Sequence, residues 1–216
     1  MKNTFLILTL ILFQVSLAQT VNLKEGDIIF CESYTEGLSE AINKVTQHQE
    51  TKNYSHMGIL EKTDETWYVL HAGFNNGSEK LSLKSFILSQ TDSLKKPRAL
   101  QVYRLKDEFQ YSIPQAIKQA TAMLGKPYNH SYILNDTSYY CSDFIYRSFN
   151  EAEIFELNPM TFKNPGTNVY HQSWVEYYNA LNLPIPEGKL GCNPNGMAAS
   201  EKLEYVGALQ PTLYIE

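Results

Sequence analysis

The sequence predicts an α+β domain in which a small antiparallel sheet packs against helices. Short β-branched or alternating stretches fall early in the chain, stretches with 3.6-residue apolar spacing fall mostly later, and a polar connection joins two of the strands as a hairpin. With 216 residues, 43% hydrophobic and 19% charged, the chain is long enough for one substantial core. No repeat, low-complexity tract or long linker divides it.

Residues 1–18 stand apart. Lys2, an apolar run from Phe5 to Val15 and then Ser16-Leu17-Ala18 read as a signal peptide cleaved after Ala18. The apolar run is shorter than the roughly 20 residues that span a bilayer, so no integral membrane span is expected. No cysteine follows it to carry a lipid anchor. The domain therefore runs from 19 to 216, in a periplasmic or secreted protein. Loss of Lys2 takes the formal charge from -5 to -6. An acidic surface without Lys/Arg runs excludes nucleic acid as an expected partner. Three cysteines, Cys31, Cys141 and Cys192, leave at least one free thiol; a Cys31–Cys192 disulfide and two buried thiols are both open.

"EGDIIFC" (25–31) is a turn and a β-branched strand, and "LSEAINKVTQ" (38–47) has helical spacing. Strands follow at His56–Glu61 and Trp67–Ala72, joined by a four-residue loop at 62–65. "LSLKSFILSQ" (81–90) reads as a short helix and "RALQVYRL" (98–105) as a strand. Helices are then predicted over 113–125, with Pro114 and Gly125 in capping positions, over 138–152, and over 171–181.

The hairpin carries candidate chemistry. A four-residue loop pairs Glu61 with Thr66, Ile59 with Tyr68 and His56 with His71, which sets the two histidines side by side. A one-residue slip would separate them. Cys141 falls in the first turn of the 138–152 helix, facing inward, where the helix N-terminus favours a thiolate and lowers the thiol pKa. The amides of Cys141 and Ser142 can contribute to an oxyanion hole. The chemical reading makes Cys141 a nucleophile, His56 its base and His71 the group that orients the base, with Tyr54 a candidate donor into the site. Each also has a structural reading: a buried cysteine, two strand histidines, a packed tyrosine. His130 and His171 suit surface or capping roles, and His48 the end of a helix. Two histidines and a thiolate can hold zinc, but no HExxH or CxxC spacing accompanies them, and no metal or cofactor is expected.

"GDIIF" (26–30), "YSHMGI" (54–59), "YVLHA" (68–72), "GKPYN" (125–129) and "YYCSDFIY" (139–146), with the closing "NPNGMAASEKLEYVG" (193–207), together resemble the YiiX/YaeF-like cysteine hydrolases, a circularly permuted branch of the NlpC-type papain-like superfamily. The histidine-before-cysteine order is that of the permuted branch. The resemblance implies a papain-like core, with Cys141 on a helix packed against a small antiparallel sheet bearing His56 and His71. It also implies amide hydrolysis through an acyl-enzyme, on a cell-wall peptide, an acylated amino acid or a lipid-linked amide. The family position matching His71 is often glutamate, so protonation of His71 should lower activity in acid. Lecithin:retinol acyltransferase-like enzymes share the histidine-first order and leave lipid ester chemistry as an alternative; a non-catalytic binding protein with the same cleft is another. Oligomeric state is left open.

Overall fold

The computed structural model describes residues 21–33, 37–46, 53–91 and 96–215. The signal-peptide reading and His48 lie outside them. Six strands form one sheet in the order β4-β3-β2-β1-β5-β8, every neighbouring pair antiparallel. They are β1 (Ile28–Glu32), β2 (Tyr54–Thr63), β3 (Thr66–Gly73), β4 (Gly77–Ser82), β5 (Leu100–Leu105) and β8 (Leu203–Leu209). A two-stranded ribbon, β6 (Asn158–Pro159) with β7 (Leu190–Gly191), lies apart from the sheet.

Alternation along β1 explains how the sheet is covered on both faces. Ile28 and Phe30 belong to a large core with Met57, Ile59 and Leu70, beneath helices α1 (Gly37–Thr46), α3 (Ile113–Ala122), α4 (Cys141–Ser148) and α5 (Gln172–Ala180). Ile29 and Cys31 face the other way, into a smaller core closed by Phe86 and Ile87 of α2 (Leu83–Ser89). The remaining helices, α6 (Pro194–Ala198) and α7 (Thr212–Ile215), are short. An ion pair against the sheet joins Arg104 to Asp27, which is fully enclosed, through Nε–Oδ1 at 2.7 Å and Nη2–Oδ2 at 2.8 Å.

Four expectations need correction. The hairpin turn is two residues, Asp64 and Glu65, with Asp64 at a φ of 52° that aspartate tolerates better than most residues. The register is consequently displaced: Glu61 pairs with Tyr68 and Ile59 with Leu70, where the longer loop gave Thr66 and Tyr68. "LSLKSFILSQ" contributes its first two residues to β4, a strand that begins inside the run "NNGS" (75–78), whose composition reads as a turn, and only Leu83–Ser89 is helical. The cysteine helix is shorter than 138–152 and begins at Cys141 itself. Finally, β8 returns to the sheet edge from the end of the chain, so strands do not end in the first half. All three cysteines are free and buried, with Cys31 and Cys192 in different cores.

Candidate active site

The geometry begins where two strands part. Leu60 exchanges backbone bonds with the turn before β1, Gly26 N donating to Leu60 O (2.9 Å) and Leu60 N to Asp27 O (2.8 Å). Even-numbered residues of β2 thus aim their backbone groups at β1, and odd-numbered ones aim at β3. The β1–β2 ladder runs on to Glu32–Tyr54, whereas the β2–β3 ladder ends at Ile59–Leu70. Past that point the carbonyl of Ser55 and the N–H of Met57 look into an opening.

Cys141 occupies it. Its thiol donates to Ser55 O at 3.9 Å, and the backbone N–H groups of Ser142, Met57 and Cys141 favour its thiolate. The sulfur therefore sits in the plane of the sheet at the parting, against the backbone on either side of His56. Tyr140 caps α4 without a side-chain hydrogen bond, which leaves the first-turn amides facing the site. The "GKPYN" loop runs beside "YYC": Tyr139 N donates to Pro127 O (3.1 Å) and Asn129 N to Tyr139 O (3.1 Å). That pairing is why two separate motifs meet at one place.

The histidines also meet, by a different register from the one expected. Extrapolating the hairpin, His71 lies opposite Gly58, so His56 and His71 are diagonal neighbours. A displacement of two residues keeps both on one face, unlike a displacement of one. His56 Nε2 and His71 Nδ1 are 3.0 Å apart. Gly58 makes this possible, since a Cβ there would lie 2.5 Å from Val69 Cγ1 and 3.2 Å from His71 Cβ. Phe86 fixes the rings from outside, stacking on His56 at 6.0 Å and meeting His71 edge-on at 5.0 Å. His56 Nδ1 has no hydrogen-bond partner among the described residues.

Glu79 was not visible from the sequence. It pairs with His71 across β3 and β4, and its Oε1 stands 3.6 Å from the buried His71 Nε2. A carboxylate there favours the tautomer with hydrogen on Nε2, leaving His71 Nδ1 to accept from His56 Nε2–H and the lone pair of His56 on Nδ1. The only sequence signal was an acidic residue two positions into a missed strand. Asn195 was missed too. Its Oδ1 accepts from Tyr54 N (2.6 Å) and its Nδ2 donates to Thr46 Oγ1 (2.8 Å), tying the start of β2 to α1.

Tyr54 is not brought into the site; its hydroxyl pairs with that of Tyr103 at 3.0 Å within the core. Ser142 is adjacent, its hydroxyl donating to Cys192 O (3.0 Å). His171 caps α5 by accepting from Ser173 N, and His130 meets Phe74 edge-on at the surface.

Electrostatics overturn one expectation. Burial pushes the Cys141 thiol up to about 11, against the pull of the nearby amides and the Arg98 charge. The helix terminus is outweighed because the sulfur is almost wholly removed from water. His56 is held well below 6.5, first by burial and then by the charges of His71 and Arg98, and burial alone lowers His71 to about 4. Thiol and both imidazoles are neutral at neutral pH. Both histidines gain protons only as pH falls toward their lowered values, so any activity that needs a neutral imidazole persists below 6.5 and is lost through about 4. We expect Glu79→Gln to lower kcat/KM about tenfold and to move that acidic limb to lower pH, because a carboxylate that favours protonated His71 is gone. A pH–rate profile unchanged in both height and limb would remove Glu79 from the site.

The sequence profile of the YaeF/YiiX permuted papain-like amidases, the C92 peptidase family, matches residues 22–207. The chain belongs to this family. The profile spans the sheet and α4 and stops within β8, so the permuted papain-like fold accounts for nearly all the described residues. The crystal structure of metalloprotein yiiX from Escherichia coli O157:H7 superposes with a TM-score of 0.67 at 24% identity, covering 85% of this chain and 96% of that one. This likeness supports the same fold. No curated protein sequence matches. Because that relative is called a metalloprotein, the residues here bear testing against a metal. Among the described residues no three His, Cys, Asp or Glu side chains are grouped to hold an ion, and His56 Nε2 is taken by His71. The residues present do not fit a metal site, and no step is assigned to one.

A cavity of about 700 Å³ opens beside Cys141. Ser55, Cys141 and Ser142 form part of its wall, with Tyr128 and Trp174; His56 and His71 do not.

Proposed function

We propose that this permuted papain-like amidase is a thiol-dependent amide hydrolase with Cys141 as nucleophile and His56 as general base. The reading rests on one observation: a thiol held at the backbone flanking a histidine whose Nε2 is engaged and whose Nδ1 has no partner among the described residues. The proton of Sγ passes to His56 Nδ1 as sulfur bonds to the amide carbon, so the neutral resting pair ionises only as the bond forms. Amides of Cys141 and Ser142 receive the developing oxyanion. The imidazolium returns its proton to the departing nitrogen, the C–N bond breaks, and an acyl-cysteine remains. Water, deprotonated by His56 Nδ1, then releases a carboxylic acid and restores the thiol.

His71 accepts the Nε2–H of His56 throughout, and Glu79 steadies His71. In the same reading the chain is exported, with residues 1–18 removed and the mature protein starting at Gln19. Intact-mass analysis after mixing with an activated amide should show one acyl adduct on Cys141, absent in Cys141→Ala. An adduct that persists in that variant would end the proposal.

A further inference from the structure

The β1–β2 ladder is interrupted beside the thiol. Cys31 pairs with His56 and Glu32 with Tyr54, so Ser55 is an extra residue on β2. A bulge of this kind leaves its residue out of the ladder, bends the strand and re-aims the groups it carries. Here the Ser55 carbonyl meets Cys141 Sγ at 3.9 Å, and Ser55 forms part of the cavity wall. With the ladder broken at that residue, its position depends on contacts from elsewhere.

Arg98 supplies them from the approach to β5. Its Nε donates to Glu32 O (2.6 Å), its Nη2 to Ser55 Oγ (2.5 Å) and its Nη1 to Gln90 Oε1 (3.2 Å). The backbone beneath it is fixed as well, Arg98 N donating to Gln90 O (2.8 Å) and Glu32 N to Ala99 O (2.9 Å). From the other side Ser39 Oγ of α1 donates to Ser55 Oγ at 2.8 Å. One rigid fork thus ties the end of β1 to the bulge in β2, a geometry that a lysine ammonium does not reproduce.

The guanidinium charge also acts on both reacting groups. It favours the Cys141 thiolate and disfavours the His56 imidazolium, which keeps the base free. The titratable groups around the pair are His71 of β3, Glu79 of β4 beyond it, Cys31 of β1, and Cys192 and Tyr128 near the thiol. Glu79 is the one carboxylate in that set, and it stands behind His71.

We propose that Arg98 is a positioning residue for amide hydrolysis: its guanidinium holds the Ser55 bulge, and through it the backbone that seats Cys141, and places a positive charge beside the reacting pair. The inference rests on the hydrolase reading and goes beyond it.

The experiment compares Arg98→Gln, Arg98→Lys, Ser55→Ala and the double variant carrying Arg98→Lys with Ser55→Ala. Two quantities are measured: turnover of an acyl p-nitroanilide against pH, and the rate at which iodoacetamide labels Cys141. Arg98→Gln should lower kcat at least about thirtyfold and move the acidic limb to higher pH, because an imidazole relieved of a neighbouring cation takes its proton sooner as pH falls. Arg98→Lys keeps the charge and loses the fork, so kcat should fall about tenfold with the limb in place. Ser55→Ala should lower kcat by a similar factor, and the double variant by no more than the larger single effect, since the two act through one contact. Labelling of Cys141 at neutral pH should slow at least about threefold in Arg98→Gln and by less than that in Arg98→Lys. This readout reports the charge whether or not the anilide is turned over.

An Arg98→Gln protein with neither its acidic limb nor its labelling rate moved would make Arg98 a structural brace only and overturn the proposal. Single effects that multiply in the double variant would do the same. Turnover that needs Cys141 but ignores Arg98→Gln strikes this inference alone, whereas turnover that survives Cys141→Ala brings down the hydrolase reading.

Discussion

His56→Ala is expected to lower amide turnover by about a thousandfold while the protein stays folded. The thiol rests near a pKa of about 11, so at neutral pH almost none of it is ionised without help. On the proposed mechanism a nearby base is therefore required at the moment of attack, and among the described residues Nδ1 of His56 is left without a partner and can serve. The side chain is only half-buried and its ring stacks on Phe86 from one side. Truncation removes the proton acceptor without opening the main core. Loss of no more than about threefold would place the base elsewhere. Raising the pH should restore part of the lost activity in the variant, as the thiol then ionises unaided. A structural defect would show no such recovery.

Gly58→Ala should be the most damaging small change near the site. A new Cβ would approach Val69 Cγ1 to 2.5 Å and both His71 Cβ and Leu70 O to 3.2 Å. Overpacking of this kind costs about 1–3 kcal/mol. The chemical effect should be larger, about a hundredfold in kcat, because moving His71 breaks the 3.0 Å contact that orients His56. Pairing the change with Val69→Ala separates the two. Trimming valine removes the shortest contact and should recover most of the thermal stability, while activity stays low because the His71 contact is still there. If activity returned together with stability, Gly58 would matter for packing alone.

Much of this was legible in the sequence because it depends on local pattern. The β1 and β5 runs, the α3 caps and the residue types around Cys141 each declare themselves within a few positions. The pairing of the histidines was reached through a wrong loop length. It survived because the displacement was even, so the face was kept while the partners changed. Three features could not be read. The parting of β2 from β3 depends on where α4 docks, which is a long-range fact. Glu79 faces His71 only through the β3–β4 register, and the strand holding it was masked by a turn signal. The thiol pKa was misjudged because helix-terminus electrostatics are visible in a sequence, while the degree of burial that opposes them is not.

Catalysis by this route depends on the sulfur of Cys141 being within proton-transfer reach of the His56 ring. The most direct test is the rate of alkylation of each cysteine by iodoacetamide against pH, in the wild type and in His56→Ala, with the labelled residue located by peptide mass. Cys141, which lines the open cavity, should react faster than Cys31 and Cys192 near neutral pH, and His56→Ala should slow it at least about tenfold at neutral pH but not above about 11. Equal rates at the three cysteines, or a Cys141 rate indifferent to His56, would contradict it.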